Sequence, residues 1–322
     1  MKYLWMVYTL VVIIVAGLMG MKIRQSMTHT QFTTNSLLAP LPKVLNILDN
    51  SQVNSLTLWL PQSVSQSLAF GAPAISAKSA LLFDMTTGKT LFAKSQEQEV
   101  PMASLTKIMT AIIALENKKV SDEYLVTGSD IVGEDSMGVT GGEVLSSEEL
   151  LYGLILNSGN DAAEVFASNY QTGREGFIKA MNDKVLALGL SHTHFSNPSG
   201  LEGDGSQYTT AYDLLVITNY ALTHFPEFVD VVGTYSKVIS ATSTHKEFDL
   251  YNETNLLTSY PGVKGIKTGY TPEAGYCLAT YLEYGNHKII GILFNSDDRR
   301  KEMKELLDYS LQSLGITPPL HE

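Results

Sequence analysis

Short, mostly apolar runs bounded by turn residues occur in two separate regions of the chain, and between these regions the apolar residues recur at helical spacing. The short runs predict a β-hairpin that turns at Gly88, together with further strands in the final third of the chain. Helical spacing predicts a helix over 104–116 and a mainly helical stretch over 146–225. The predicted strands are 79–84, 90–93, 263–271, 275–284 and 287–294, and the other predicted helices are 146–157, one from about 160, 174–188, 209–222 and 298–314.

This order of elements indicates an α+β fold. Strands at the two ends of the folded part can pair into one antiparallel sheet, with helices packed against it. The long run of helices between the strands predicts an inserted, mainly helical subdomain. We expect one folded domain over 76–316, followed by a short tail over 317–322.

The N-terminal segment predicts export from the cytoplasm. Residues 3–21 carry no charge, and Lys2 and Lys22 flank them. Nineteen residues exceed the apolar core of an ordinary signal peptide and suffice to span a bilayer. We therefore predict an uncleaved signal-anchor over 1–24 and a single-pass cell-membrane protein with its catalytic domain outside the cytoplasm. Cleavage would instead give a secreted protein. Residues 25–75 are rich in Ser, Thr, Gln and Asn and predict a polar linker.

Composition narrows the range of functions. The chain has 322 residues, of which 44% are hydrophobic, and this is typical of a globular protein. A net charge of −11 argues against nucleic acid as a partner. Cys277 is the single cysteine, so the chain has no intrachain disulfide or cysteine-based metal cluster. His192 and His194 are the only close pair of histidines, and they lie in a polar loop. We predict no metal site and no cofactor.

The first candidate catalytic motif is Ser104-Leu105-Thr106-Lys107. Residues three apart share one face of a helix, and the start of a helix favours negative charge on a serine oxygen. A serine hydroxyl needs a neighbouring base, and lysine can be that base only if burial or a second cation such as Lys267 lowers its pKa. Taken alone, the motif more often marks a serine that caps a helix beside a solvated lysine.

The second candidate motif, Ser158-Gly159-Asn160, lies between two predicted helices. A loop at this place can present a hydroxyl and an amide to a cleft. Ser158 would then relay a proton to a leaving amine, and Asn160 would bind a substrate amide. Taken alone, the motif is an ordinary helix break with Asn160 or Asp161 as the cap.

The third candidate motif, Lys267-Thr268-Gly269, lies in a predicted central strand, where a lysine is unusual. Lys267 and Thr268 together suit a substrate carboxylate, and Gly269 permits close approach of the backbone. Taken alone, the lysine also fits an edge strand that it protects against aggregation.

The three motifs together, in this order, resemble the active-site motifs of the serine-type D-alanyl-D-alanine carboxypeptidases, which are the low-molecular-mass penicillin-binding proteins. The resemblance extends over roughly residues 77 to 310. The segments that carry it are 101–111, 150–163, 195–201, 208–213, 254–257 and 261–271.

The resemblance implies a β-lactamase/transpeptidase-like fold and an acyl-enzyme on Ser104. The expected substrates are peptidoglycan stem peptides that end in D-Ala-D-Ala, and the expected inhibitors are β-lactams. Lys107 would be the general base and Ser158 the second catalytic residue, while the backbone N–H groups of Ser104 and Tyr270 would bind the oxyanion. The implied substrate-binding residues are Asn160, Lys267, Thr268, Gly269, Tyr270 and Arg299, with Arg300 as an alternative to Arg299.

Other activities use the same residues. A D,D-endopeptidase or a transpeptidase would attack a different bond or use a different acceptor. A β-lactamase would need a glutamate in a string E-x-x-L-N, and the nearest string, which starts at Glu253, lacks the final Asn. We therefore expect slow hydrolysis of bound β-lactams. A non-catalytic wall-binding protein on the same fold is the alternative from another class.

Overall fold

The computed structural model describes residues 61, 71–203, 205–254 and 256–321. The predicted signal-anchor and most of the predicted linker lie outside these described residues. Within them, no helix combines the length and the apolar content needed to cross a bilayer.

The strands of the described residues confirm those predicted at both ends of the domain. Two short antiparallel strand pairs in the middle of the chain were not predicted. They join Tyr124–Leu125 with Val144–Leu145 and Ser236–Ile239 with Phe248–Tyr251. The strands are β1 (Ser79–Asp84), β2 (Lys89–Lys94), β3 (Tyr124–Leu125), β4 (Val144–Leu145), β5 (Ser236–Ile239), β6 (Phe248–Tyr251), β7 (Val263–Thr271), β8 (Gly275–Tyr284) and β9 (His287–Ser296).

The predicted helices are present, with one correction at the first of them, and two further short helices, Pro226–Val232 and Leu256–Ser259, were not predicted. Residues 104–116 are not one α-helix, because a 3-10 turn over Ala103–Thr106 precedes the α-helix. The helices are α1 (Lys107–Glu116), α2 (Ser147–Leu156), α3 (Asn160–Ser168), α4 (Gly173–Ala187), α5 (Ala211–His224), α6 (Pro226–Val232), α7 (Leu256–Ser259) and α8 (Arg299–Ser313).

The five-stranded sheet joins the two ends of the domain. Its order is β2-β1-β9-β8-β7, and all neighbours are antiparallel. The predicted pairing between N-terminal and C-terminal strands is confirmed by β1, which pairs with β9 along its whole length. The expectation that Lys267 lies in a central strand is wrong, because β7 is the edge of this sheet.

Both faces of the sheet are buried, and each covers a separate core. Leu81 and Phe83 of β1 pack against the helical part, whereas Leu82 between them packs on the opposite face with α8. This alternation follows from the two-residue period of a strand. Helix α8 lies close to the sheet at Gly291, where an added Cβ would lie 2.8 Å from the sulfur of Met303.

The segment that follows α8 packs back on the domain. His321 Nε2 lies 3.0 Å from Asp308 Oδ2, and its ring stacks on Tyr260 at a centroid distance of 4.6 Å. The boundaries of the domain at 76 and 316 remain predictions.

Candidate active site

Ser104 lies in the 3-10 turn that leads into α1, at the end of the helical part that meets the sheet. The preceding Ala103 has a φ of +48°, a left-handed conformation that is strained for a residue with a side chain. No side chain caps this turn or α1. The alternative in which Ser104 is a helix cap is therefore wrong, and its half-buried hydroxyl instead accepts a hydrogen bond from Lys107 Nζ at 2.9 Å.

Lys107 is fully buried, with 0% of its surface exposed, so the alternative of a solvated lysine is also wrong. Besides Ser104 Oγ, its Nζ donates to Asn160 Oδ1 at 2.8 Å and to the carbonyl oxygen of Ser199 at 2.7 Å. Burial, and secondly the charge of Lys267, holds the pKa of Lys107 well below its usual range. A lysine in this state can accept the proton of a neighbouring serine.

The second motif lies in the loop between α2 and α3. Ser158 has a φ of +55° and is almost fully buried, and Asn160 is the first residue of α3. Gly159 between them has no room for a side chain, because an added Cβ would lie 2.8 Å from Asp161 Oδ1 and 3.0 Å from the carbonyl oxygen of Gly153. The loop therefore requires glycine at its centre.

Asn160 connects Lys107 to the loop over 133–139. While its Oδ1 accepts from Lys107, its Nδ2 donates to the carbonyl oxygen of Gly133 at 3.2 Å, and its backbone N–H donates to that of Asp135 at 2.8 Å. An amide can do both because it carries a donor and an acceptor. The predicted contact of Asn160 with substrate remains a prediction.

Asp161 positions the same loop, a role that the sequence did not indicate beyond its place in the first turn of a helix. Its carboxylate accepts hydrogen bonds from the backbone N–H groups of Met137, Gly138 and Val139 and from the Ser136 hydroxyl. Several donors on one carboxylate hold a loop firmly.

The third motif lies on β7, directly beside the nucleophile. An added Cβ at Gly269 would lie 3.1 Å from both Ala103 Cβ and the backbone nitrogen of Ser104, so a larger residue would displace the 3-10 turn. This close approach is the one expected from the sequence. Lys267 is 1% exposed although β7 is an edge strand, which argues against a solvated lysine that only prevents aggregation.

The electrostatics of Lys267 suit an anion site. Its Nζ donates to the carbonyl oxygen of Thr268 at 3.0 Å. The pKa of Lys267 is lowered to about 8, mainly by burial; the charges of Glu253 and Asp135 oppose this shift, and that of Arg299 adds to it. Lys267 therefore keeps its proton below about pH 8.

Arg299 supports the backbone of β7. Its Nη1 donates to the carbonyl oxygen of Gly269 at 2.7 Å, and its guanidinium lies 5.3 Å from the centroid of the Tyr276 ring. The Tyr276 ring lies beside that of Tyr270, with centroids 4.8 Å apart. Arg300 is exposed and lines a different cavity with Lys304 and Asp308, so of the two arginines only Arg299 reaches the motif.

Two further groups of the site were not assigned a role from the sequence. The loop over 197–201 brings the Ser199 carbonyl to Lys107, and Asn197 Oδ1 shapes it by accepting from the N–H groups of Ser199 and Gly200. Glu253 lies against the third motif, with Oε2 3.3 Å from Thr268 Oγ1. The loop over 197–201 belongs to a segment that carries the family resemblance, whereas Glu253 was noted only as the start of the string nearest to the β-lactamase pattern.

The described residues offer no group of three or more His, Cys, Asp or Glu side chains arranged to hold a metal ion. His192 Nδ1 lies 2.9 Å from Glu99 Oε1, whereas the His194 ring lies beside that of Tyr208, with centroids 6.0 Å apart. The two histidines therefore have separate partners.

The two lysines predict a bell-shaped dependence of Ser104 acylation on pH. A general base predicted at Lys107 needs the unprotonated amine, so the rate should rise with pH through the lowered pKa of Lys107. An anion site predicted at Lys267 needs the protonated amine, so the rate should fall as pH rises past about 8. The rate at which a β-lactam acylates Ser104, measured across a range of pH, gives both the acidic and the alkaline limb of this profile. In Lys267→Arg, whose side chain does not titrate in this range, the alkaline limb should move to higher pH. An unchanged limb would contradict its assignment to Lys267.

Comparison with known proteins gives a family match over most of the chain and several similar proteins. Residues 66–298 match a family model described as D-alanyl-D-alanine carboxypeptidase. The D-alanyl-D-alanine carboxypeptidase DacF of Bacillus subtilis is 35% identical over 254 residues, which cover 76% of this chain and 64% of that protein. A D-alanyl-D-alanine endopeptidase of Pseudomonas aeruginosa is 31% identical over 243 residues, 71% of this chain and 77% of that protein.

A solved structure gives the same picture. The crystal structure of the Streptomyces K15 DD-transpeptidase is similar with a TM-score of 0.70 and 30% identity, and the match covers 75% of this chain and 99% of that one. The predicted α+β fold, with an antiparallel sheet and packed helices, is confirmed.

Proposed function

Because the chain belongs to the D-alanyl-D-alanine carboxypeptidase family, we propose that it removes the terminal D-alanine from peptidoglycan stem peptides through an acyl-enzyme on Ser104. The observation that carries the proposal is the contact of the fully buried Lys107 Nζ with Ser104 Oγ at 2.9 Å. A lysine with a lowered pKa at this distance can act as the general base that a serine nucleophile requires.

In the acylation step, Lys107 accepts the proton of Ser104, and Oγ forms a bond to the carbonyl carbon of the penultimate D-alanine. The C–N bond to the terminal D-alanine then breaks, and the leaving amine takes a proton from Lys107 with Ser158 as the relay. The backbone N–H groups of Ser104 and Tyr270 bind the oxyanion. The close approach of Gly269 to the Ser104 nitrogen supports this pairing, because it brings β7 beside the nucleophile.

Lys267 and Thr268 bind the terminal carboxylate of the substrate in this proposal. A buried cation beside a hydroxyl is suited to an anion. Strand β7 is also an edge of the sheet, and an extended peptide can add to such an edge through backbone hydrogen bonds. Asn160 contacts a substrate amide, and Arg299 acts through the backbone of β7.

Water hydrolyses the peptide acyl-enzyme, whereas a β-lactam leaves a long-lived one. The carboxylate of Glu253 contacts Thr268, and the nucleophile has Lys107 as its partner. This arrangement favours a penicillin-sensitive peptidase over a β-lactamase. The uncharged segment 3–21 supports a signal-anchor that holds the domain outside the cytoplasm, with secretion as the outcome if it is cleaved.

The proposal is tested with a fluorescent penicillin and an acyl-D-Ala-D-Ala peptide. We expect stable label on the peptide that contains Ser104, release of D-alanine, and label in the membrane fraction that is lost from it when residues 1–24 are deleted. Absence of label at Ser104 would contradict the acyl-enzyme.

Two extended assays separate the related activities. Label without D-alanine release but with cleavage of a cross-linked dimer would assign a D,D-endopeptidase, and transfer to an added amine would assign a transpeptidase. Label with none of these reactions would assign a wall-binding role.

A further inference from the structure

Glu253 is held in the cleft by its backbone and by its neighbour Asn252. The Glu253 N–H donates to the carbonyl oxygen of Leu156 at 3.3 Å, at the end of the helix that leads to Ser158. Asn252 is buried, and its Nδ2 donates to the carbonyl oxygens of Val232 and Thr234 at 3.3 and 3.0 Å. These contacts fix the backbone around Glu253, and its exposed side chain reaches the Thr268 hydroxyl.

The carboxylate of Glu253 lies where the proposed function places a substrate anion. Its Oε2 accepts the hydroxyl of Thr268 at 3.3 Å, and Thr268 is only 4% exposed. A serine or threonine hydroxyl has a single hydrogen to donate. A substrate carboxylate that takes this hydrogen must displace Glu253 and remain close to its negative charge.

The repulsion between two such carboxylates is large enough to measure. Two like charges about 4 Å apart lose about fivefold in affinity even at the dielectric constant of water, and more at the lower effective values of a protein cleft. Glu253 also has an opposite effect, because its charge helps Lys267 to keep its proton. At a pH well below the pKa of Lys267, this lysine is protonated with or without Glu253. Only the repulsion between the two carboxylates then affects binding.

We propose that Glu253 is a specificity-determining residue of this cleft, which disfavours a free carboxylate beside the scissile bond relative to an uncharged amide at the same place. The inference rests on the proposed function, since that assigns the anion site to Lys267 and Thr268. Peptides with an amidated leaving residue are then the substrate class that gains relative to the free acid, because Glu253 weakens binding of the acid alone.

The test measures binding rather than turnover, so that it does not depend on catalysis. Full-length Ser104→Ala protein, with and without Glu253→Gln, is titrated at pH 6 with an acyl-D-Ala-D-Ala peptide and with its C-terminal amide. Glu247→Gln is the matched control, because Glu247 is exposed at the other end of β6 and its neutralisation changes the net charge equally. Nuclear magnetic resonance titration measures the dissociation constants.

We expect Glu253→Gln to tighten binding of the acid by about fivefold or more and to leave binding of the amide unchanged. High salt should reduce the gain in acid affinity that Glu253→Gln produces, because ions screen an accessible charge. Glu247→Gln should change neither ligand.

Equal tightening of acid and amide, unchanged binding of the acid, or no binding of the acid by either protein would overturn the proposal. Weaker binding of the acid would also overturn it and make Glu253 a positioning residue for Thr268. Failure of the proposed function is distinguishable, because it is a lack of D-alanine release by the unmodified chain.

Discussion

Replacing Lys107 with methionine should lower the rate of Ser104 acylation by at least about three orders of magnitude. Methionine keeps the length and apolar stem of the side chain but cannot accept a proton from Ser104 Oγ, which lies 2.9 Å from Nζ. The burst rate of covalent labelling by a fluorescent penicillin measures the effect.

Folding should be nearly unaffected by this change. Loss of Nζ leaves Asn160 Oδ1 and the Ser199 carbonyl without their donor, which costs about 1–3 kcal/mol for each. Removal of a buried amine whose pKa is lowered acts in the opposite direction, because the unfolded chain binds that proton more readily. For the same reason, stability of the unmodified chain should rise with pH between the lowered pKa of Lys107 and 10.5, and Lys107→Met should lose this rise.

Lys264→Met is the matched control, because Lys264 is an exposed lysine of the same sheet edge. It should acylate at the unmodified rate. Acylation of Lys107→Met within tenfold of the unmodified rate would exclude Lys107 as the general base. A loss of folding at 25 °C would show instead that Lys107 is mainly structural.

Gly200→Ala should destabilise the domain by about 3 kcal/mol or more and lower acylation by at least about a hundredfold. Gly200 has a φ of +90°, and a Cβ there would lie 2.0 Å from the carbonyl oxygen of Ala103 and 3.0 Å from the nitrogen of Ser104. Backbone atoms cannot yield as a flexible side chain can. The substitution must therefore displace either the 3-10 turn that contains Ser104 or the loop that brings Ser199 to Lys107. Thermal unfolding and labelling kinetics measure the two effects.

Gly203→Ala is the control that separates the cost of an unfavourable backbone conformation from the cost of steric contact with the 3-10 turn. Gly203 has a similar φ of +107°, but apart from its chain neighbours no atom of the described residues lies within 4 Å of an added Cβ. It should cost only about 1 kcal/mol from its backbone conformation, and acylation should stay near the unmodified rate. Equal effects of the two substitutions would mean that backbone strain, rather than contact with the 3-10 turn, explains the glycine at 200.

Much of the fold could be predicted because its signals are local. The continuous apolar runs in 79–84 and 287–296 come from strands with a core on each face, and the periodicity of 299–313 comes from a helix packed on one side. The two short strand pairs in the middle of the chain were missed, because strands of two to four residues are too short to establish a period.

The sequence by itself determined the three motifs, their order, the serine and lysine chemistry that they suggest, and the place of each motif near a helix start, in a loop and on a strand. Only the tertiary structure decided that Lys107 is buried rather than solvated, that β7 is an edge, and that Ser199, Asp161 and Glu253 belong to the site. The physical reason is that these facts depend on contacts between distant segments. A lowered lysine pKa or a carboxylate beside Thr268 results from which groups the fold brings within hydrogen-bond distance, and local sequence spacing carries no record of that distance.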